Sequence, residues 1–136
     1  MARVTGIGGV FFKSKDPDAL KSWYVDNLGL PLDTHGYVSF PFREHDHPGR
    51  VGFCAWNPFK EDTTYYAPSD KPYMVNYRVD DLDGMVEQLK AAGATMVGEP
   101  ESFDYGKFAW FMDPDGNKME LWESTDWMPE TQSEKS

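Results

Sequence analysis

Residues 111–122 read Phe-Met-Asp-Pro-Asp-Gly-Asn-Lys-Met-Glu-Leu-Trp, and this segment says more about the fold than any other part of the chain. Its first half predicts a tight turn, because proline presets one backbone angle, glycine accepts a left-handed conformation, and Asp and Asn can bond to their own backbone. Its second half, 118–122, has the composition of a strand. Glu120 lies in that strand, and it is the carboxylate at which we expect chemistry.

Length and charge limit what the chain can be. Its 136 residues, 40% of them apolar and 15% aromatic, suit a single domain with a packed core. There are 13 Lys and Arg against 23 Asp and Glu, a net charge of -10. Such a charge repels phosphate backbones and anionic lipid surfaces, so neither nucleic acid nor a membrane is expected as a partner.

The start of the chain and its cysteine content predict a cytoplasmic location. A single cysteine, Cys54, cannot form an internal disulfide. The first residues contain neither the apolar core of a signal peptide nor a run long enough to cross a bilayer.

The first half of the chain predicts a strand, a helix and further strands. Residues 7–13 form an apolar, aromatic run that suits a strand. Asp16 can cap the helix that follows, Pro17 suits its first turn, and Gly29 marks its end. Two more strands are predicted at 37–42 and 51–56, with a short extra strand at 30–32.

The second half repeats this order. A strand at 73–79 is followed by a helix that Asp81 caps and Gly93 ends, and then by strands at 94–97, 107–112 and 118–122. An offset of 65 residues aligns the two helix starts, pairing Asp16 with Asp81, Asp18 with Asp83 and Leu20 with Met85.

Together the halves predict an α+β fold of two βαβββ modules in one domain, 1–136. The modules span 5–57 and 73–123, a connecting loop spans 58–72, and 124–136 form a flexible tail. Two such modules side by side can bend into one curved mixed sheet, an open cup with the helices on its outer face. The concave face is then the natural binding pocket.

The chain resembles the vicinal oxygen chelate superfamily, which includes glyoxalase I, extradiol dioxygenases and the fosfomycin and bleomycin resistance proteins. The resemblance covers almost all of 7–123. It rests on the helix that begins Asp16-Pro17-Asp18 and ends Leu28-Gly29-Leu30, on Tyr77-Arg78-Val79-Asp80-Asp81, and on 111–121. These motifs are specific for the fold and not for a reaction.

The resemblance also implies where a metal would bind. Metal-dependent members have a His in the first strand of each half, and here those positions hold Gly9 and Met74. The carboxylate of the last strand is present as Glu120. The fourth position falls within 53–56, which contains no carboxylate or imidazole. Because catalytic zinc or iron sites use about three protein ligands, we predict no metal and no other cofactor.

The candidate site residues lie on the predicted strands. Glu120 is the candidate catalytic residue, as a base or as an attraction for a cation, although a strand end near a turn also often carries a plain surface charge. Asn76 and Arg78 share a strand face with Met74. The full set of predicted ligand-binding residues is Phe11, Trp56, Asn76, Arg78, Trp110 and Trp122. For the aromatic members the competing interpretation is ordinary core packing.

Three functions remain open, and the sequence does not decide whether the protein is an enzyme. The leading hypothesis is a glyoxalase- or bleomycin resistance-like protein that binds a small organic molecule in an aromatic-lined cup without the usual metal. The second is a metal-dependent lyase or dioxygenase, with Fe, Mn, Zn or Ni held by Glu120 and at least two further residues. His45 or His47, from the loop at 44–47, is the candidate to complete such a site. The third is a metal-free isomerase with Glu120 as base.

The resemblance further implies a homodimer. The aromatic stretch at 63–66 in the connecting loop is a candidate for folding over the neighbouring subunit.

Overall fold

The structure is a computed structural model that describes residues 1–125. These residues form the following elements: β1 Val4–Ser14, α1 Pro17–Leu28, β2 Val38–Arg43, β3 Val51–Lys60, β4 Tyr73–Val79, α2 Leu82–Ala91, β5 Thr95–Met96, β6 Glu101–Phe103, β7 Gly106–Met112 and β8 Lys118–Ser124. Of the tail predicted at 124–136, Ser124 belongs to β8, and 126–136 lie outside the described residues. Neither described helix is long and apolar enough to cross a membrane.

The eight described strands belong to one mixed sheet in the order β2-β3-β1-β4-β8-β7-β5, with β6 also paired to β7. The predicted α+β class and the open, unclosed sheet are confirmed. At the centre β1 runs antiparallel to β4, while β3 is parallel to β1 and β8 is parallel to β4. The two halves therefore meet edge to edge with the same arrangement on each side.

The register of this sheet aligns one row of residues across its middle. Gly9 pairs with Ala55 on one side and with Asn76 on the other, and Asn76 pairs in turn with Glu120. The 65-residue offset that relates the helix starts also relates Ala55 to Glu120. The carboxylate is thus present in only one half of the repeat.

Both helices begin as the sequence predicts. The Asp16 carboxylate accepts a hydrogen bond from the Ala19 amide at 3.2 Å, and the Asp81 carboxylate accepts one from Gly84 at 3.1 Å. Gly29 follows α1 in the left-handed conformation, with φ of 68°. These caps use amide and carbonyl groups that a helix end would otherwise leave without a partner.

We expect the Asp81→Ala substitution to lower the free energy of unfolding by about 1 kcal/mol, because an alanine cannot accept the hydrogen bond of the Gly84 amide. Urea unfolding followed by circular dichroism measures the difference. Asp81→Asn is the matched control, since asparagine is an equally good N-cap and should leave stability nearly unchanged. Equal losses in both variants would contradict a capping role.

The two faces of the sheet bury different groups of side chains. On the helix face, α2 packs Leu82, Met85 and Val86 against a cluster that includes Leu121. On the opposite face, which we call the cup face, a second cluster contains Tyr66, Met74 and Trp110. Since consecutive residues of a strand point to opposite sides, Leu121 on the helix face puts Glu120 on the cup face.

The connecting loop differs most from expectation. Strand β3 continues to Lys60, so the loop is shorter than the predicted 58–72. Tyr66 is fully buried among residues of its own chain on the cup face, so this part of the stretch at 63–66 is not free to fold over a neighbouring subunit. Strand β6 was not predicted, and the extra strand expected at 30–32 is reduced to a single bridge between Leu32 and Val38.

Candidate functional site

Glu120 is a buried carboxylate held by three neutral donors. Only 4% of the residue is exposed. The Asn76 amide donates to one carboxylate oxygen at 2.6 Å, and the Trp110 indole donates to the other at 2.8 Å. The Tyr65 hydroxyl donates to that same second oxygen. Because an unpaired charge is expensive to bury, these donors are what allow a carboxylate at this position.

The strand register explains two of the donors. Asn76 on β4 and Trp110 on β7 each pair with Glu120 on β8, so all three side chains lie side by side on the cup face. Strand alternation sets the face of each side chain, and the register of the three strands places them side by side. The structure therefore brings together three of the predicted site residues.

Tyr65 is the residue of the candidate site that sequence reasoning missed. Its backbone carbonyl accepts a hydrogen bond from the Lys118 ammonium at 2.6 Å, while its hydroxyl contacts Glu120. Lys118 and Glu120, on the same face of β8, therefore both bind Tyr65 and hold this part of the loop in place. The only signal in the sequence was the aromatic stretch at 63–66, which does not reveal the path of the loop.

The environment sets the protonation of these groups. Burial, and next the neighbouring Glu120 carboxylate, raise the pKa of the Tyr65 hydroxyl above its ordinary value. The phenol therefore keeps its proton at neutral pH and acts as a donor. Burial lowers the pKa of the Lys118 ammonium, with Glu120 acting in the opposite direction.

Asn76 is oriented by Glu120, and this leaves its amide oxygen buried. With the amide nitrogen directed at the carboxylate, the oxygen has no hydrogen-bond partner among the described residues. It lies beside Gly8, where a Cβ atom would come within 2.2 Å of it. The absence of a side chain at Gly8 is what makes room for the Asn76 amide.

An aromatic pocket of about 240 Å³ opens beside the carboxylate. Phe103 and Tyr105 stack at 5.3 Å with their planes 4° apart, and both contact Phe108 edge to face. We call this cavity the aromatic pocket, and the residues that line it are Tyr65, Glu101, Phe103, Tyr105, Phe108, Trp110 and Glu120. It combines flat apolar surfaces with two carboxylates.

Arg78 and Trp122 lie next to the pocket. The Trp122 ring stacks on Phe108 at 5.8 Å, and its indole nitrogen donates to the Tyr105 carbonyl at 2.8 Å. The Arg78 guanidinium lies 4.8 Å from the centre of the Trp122 ring and forms an ion pair with Glu44 at 3.4 Å. Both residues support the wall of the site without lining the aromatic pocket themselves.

Phe11 and Trp56 lie on opposite faces of the sheet. Phe11 packs against the cup-face cluster, with its ring 5.6 Å from Phe59. Trp56 instead contacts Tyr24 of α1 at 4.9 Å and Phe12 at 5.3 Å. The structure therefore does not bring Trp56 to the other predicted residues, because its place in β3 turns it towards the helix face.

The positions that hold the superfamily metal do not suit an ion here. Of Gly9, Met74 and Glu120, only Glu120 supplies an oxygen, and both of its oxygens accept hydrogen bonds. A side chain at Gly9 would meet the Phe11 ring at 2.8 Å, and Met74 is fully buried. Within residues 1–125, no three His, Cys, Asp or Glu side chains are grouped so that they could hold an ion.

His45 and His47 do not complete a site with Glu120. Both histidines line a separate polar cavity together with Arg3 and Arg78, whereas Glu120 lines the aromatic pocket. The donor set around Glu120 therefore does not fit a divalent cation.

Several solved structures have a similar fold. The fold is similar to that of methylmalonyl-CoA epimerase from Mycobacterium tuberculosis, with 22% identity, a TM-score of 0.60, and coverage of 96% of this chain and 93% of that one. A Streptomyces coelicolor methylmalonyl-CoA epimerase variant in complex with 2-nitronate-propionyl-CoA is 15% identical, with a TM-score of 0.65 and coverage of 90% and 99%. A Legionella pneumophila protein named NAD-dependent benzaldehyde dehydrogenase is 14% identical, with a TM-score of 0.56 and coverage of 86% and 98%.

At these identities the structural similarities show the fold alone. Comparison with curated proteins gives no match. Residues 9–122, however, match the family described as glyoxalase-like domain. The chain therefore belongs to the glyoxalase-like domain family, within the vicinal oxygen chelate superfamily.

Proposed function

We propose that this protein binds a planar organic cation in the aromatic pocket, without the metal of its superfamily. The observation that carries the proposal is the composition of that pocket, in which five aromatic side chains surround the carboxylates of Glu101 and Glu120. Aromatic faces attract cations through the negative charge above the ring. A carboxylate at the pocket wall adds a direct Coulomb attraction.

The structure already contains an example of the interaction that the proposal needs. The Lys118 ammonium lies 5.0 Å from the centre of the Tyr65 ring and 5.9 Å from that of Trp110. Both rings also line the aromatic pocket. These rings therefore stabilise a cation of the protein itself, which supports their use with an external one.

The exposure of the pocket residues supports ligand stacking. Phe103 is 45% exposed and Tyr105 is 39% exposed, which is high for large aromatic side chains that already stack on each other. A flat ligand would cover this surface and remove it from water. The volume of about 240 Å³ is below the roughly 300–1,000 Å³ of sites for drug-sized ligands, so a ligand of one or two fused rings is the size expected.

The hydrogen bonds of Glu120 favour binding over proton transfer. A general base needs a lone pair directed at the proton that it removes. Here one oxygen accepts from Asn76 and the other accepts from both Tyr65 and Trp110. These three bonds occupy three of the roughly four lone-pair sites of the carboxylate and fix its orientation. We therefore assign Glu120 the role of an oriented acceptor and negative charge in the pocket wall, and we favour sequestration over the isomerase alternative.

Binding of the probe N-methylquinolinium, measured by isothermal titration calorimetry at pH 7.5, tests the proposal. Quinoline has the same ring system without charge, and quinoline-2-carboxylate carries the opposite charge. We expect the cation to bind at least tenfold more tightly than either, because only the cation gains from both the rings and the carboxylates. Equal affinities, or no binding of the cation, would contradict the proposal.

The Phe103→Ala substitution is expected to weaken binding of N-methylquinolinium about two- to twelvefold, since it removes one stacking surface worth about 0.5–1.5 kcal/mol. Because Phe103 is an exposed side chain on a three-residue strand, the variant should still fold. Tyr37→Ala removes an aromatic side chain that is 65% exposed and does not line the pocket, so it serves as the control. Similar losses in the two variants would show that binding is nonspecific.

Metal analysis tests the second part of the proposal, that the protein works without the metal of its superfamily. Protein purified without a chelator is expected to contain much less than one transition-metal ion per chain, because within residues 1–125 Glu120 belongs to no group of three potential metal ligands. About one tightly bound divalent ion per chain would instead support the lyase or dioxygenase alternative.

The homodimer and the cytoplasmic location also remain proposals. Helix α1 has no buried residue, and its Trp23 and Leu28 side chains are more than half exposed. Large apolar side chains of a helix are normally covered, which supports a contact of α1 with a second copy of the chain. Sedimentation equilibrium distinguishes a mass of two chains from the 15.5 kDa of one.

A further inference from the structure

A smaller cavity, of about 170 Å³, lies beside the aromatic pocket. We call it the Lys118 cavity, and part of its wall is formed by Val97, Gly98, Glu99 and Lys118. The remaining wall residues line both cavities, and they are Tyr65, Glu101 and Trp110. The two cavities are therefore neighbours that meet at these shared residues.

The cavities follow each other along β8. Lys118 and Glu120 are two positions apart in this strand, so their side chains lie on the same face of the sheet. Lys118 lines one cavity and Glu120 lines the other. Trp110, which pairs with Glu120 and is 8% exposed, belongs to the sheet beneath both. The floor of the two cavities is thus one continuous surface.

Tyr65 reaches this floor from the connecting loop. Its hydroxyl donates to Glu120 of the aromatic pocket, while its ring lies 5.0 Å from the ammonium of Lys118. One side chain thus contacts a residue of each cavity. We propose that Tyr65 is a partition that divides one groove in two, and that it determines specificity by restricting the aromatic pocket to cations of at most two fused rings. This inference rests on the proposed function.

The main chain of Tyr65 is held independently of its ring. The Tyr65 carbonyl accepts a hydrogen bond from Lys118 at 2.6 Å, and the Tyr65 amide donates one to the Thr63 hydroxyl at 3.2 Å. The Ala67 amide donates to the Thr64 carbonyl at 3.0 Å, which closes the turn around Tyr65. None of these bonds uses the phenol. A shorter side chain should therefore remove the partition and leave the path of the loop in place.

The Lys118 cavity can accept the third ring of a larger cation. The Trp110 ring lines it as well as the aromatic pocket, so a flat surface continues from one to the other. Its two carboxylates, Glu99 and Glu101, outnumber the Lys118 ammonium, so a positive charge is attracted on balance. A third ring that enters this cavity is also removed from water, which favours binding.

N-methylquinolinium and N-methylacridinium test the proposal, because they carry the same charge and differ by one fused ring. Their dissociation constants are measured by calorimetry at pH 7.5 for the wild type, Tyr65→Ala and Tyr65→Leu. The ratio of the two constants is compared between proteins, so that a general loss of affinity cancels. We expect the wild type to bind the two-ring cation at least as tightly as the three-ring one. The ratio should shift towards the three-ring cation at least about tenfold in Tyr65→Ala and at least about threefold in Tyr65→Leu.

Tyr65→Phe and Phe103→Ala are the matched controls. The first keeps the ring and loses only the hydroxyl, and the second removes a ring that lines the aromatic pocket but not the Lys118 cavity. Neither change opens the partition, so neither should shift the ratio. Thermal unfolding without ligand confirms that each variant is folded.

The outcomes separate this inference from the proposed function. A wild type that prefers the three-ring cation, an unchanged ratio in both Tyr65→Ala and Tyr65→Leu, or an equal shift in either control overturns the partition. Absence of N-methylquinolinium binding to the wild type overturns the proposed function itself, and the partition with it.

Discussion

Replacing Glu120 with methionine is expected to lower the free energy of unfolding by about 2–5 kcal/mol. The change removes the acceptor of the Asn76 amide and of the Trp110 indole, and both of these residues are at least 92% buried. Each buried donor left without a partner costs about 1–3 kcal/mol. The third donor, Tyr65, is 38% exposed and can turn to water, so its loss adds less.

Urea unfolding followed by circular dichroism measures this change. Glu101→Met is the matched control, because Glu101 is an exposed carboxylate of the same pocket and the same substitution there should change stability by less than about 0.5 kcal/mol. A loss below about 1 kcal/mol for Glu120→Met would show that the donors find other partners. In that case the buried carboxylate would not organise the site.

Local rules predicted much of this fold from the sequence. Asp16, Asp81 and Gly29 all occupy the cap positions expected of them, because capping depends only on neighbouring residues. The turn at 113–117 forms as expected, with the Asp113 carboxylate accepting hydrogen bonds from the amides of Asp115 and Asn117, both at 2.9 Å. The proximity of Trp110 to Glu120 follows from strand alternation once this turn fixes the register of β7 and β8. The pairing of Asn76 with Glu120 joins parallel strands and does not depend on the turn.

The side of the sheet on which Trp56 lies could also have been inferred from the sequence. The 65-residue offset that relates Ala55 to Glu120 relates Trp56 to Leu121, and Leu121 is buried on the helix face. Carrying the repeat through the last strand of the first half would therefore have placed Trp56 against α1, where the structure has it.

The role of Tyr65 could not be predicted in this way. It depends on the path of residues 61–72, which no periodic pattern constrains, and on a contact between residues 55 positions apart. Long-range contacts of loops follow from the assembled fold and not from local preference. Lys118 and Glu120 both hydrogen-bond to Tyr65. Their places in the last strand could be predicted from the sequence, but Tyr65 as their common partner could not.

Gly8→Ala is the second substitution with a large expected effect, a loss of about 1–3 kcal/mol in the free energy of unfolding. The new methyl group would lie 2.2 Å from the Asn76 amide oxygen, 3.0 Å from Cγ of Arg78 and 3.1 Å from the Trp122 ring. Asn76 cannot move aside without breaking its 2.6 Å hydrogen bond to Glu120. Gly6→Ala is the control on the same strand, since a Cβ there meets nothing within 4 Å.

A double-mutant cycle separates this clash from a general intolerance of β1 to substitution. Asn76→Ala alone is destabilising, because it removes a donor to Glu120, but it also removes the atom that the new methyl group would meet. Gly8→Ala should therefore be less damaging in the Asn76→Ala background than in the wild type, with a coupling of at least about 1 kcal/mol. Additive losses would mean that Gly8 is required for the irregular pairing of β1 with β4 and not for the space that the Asn76 amide occupies.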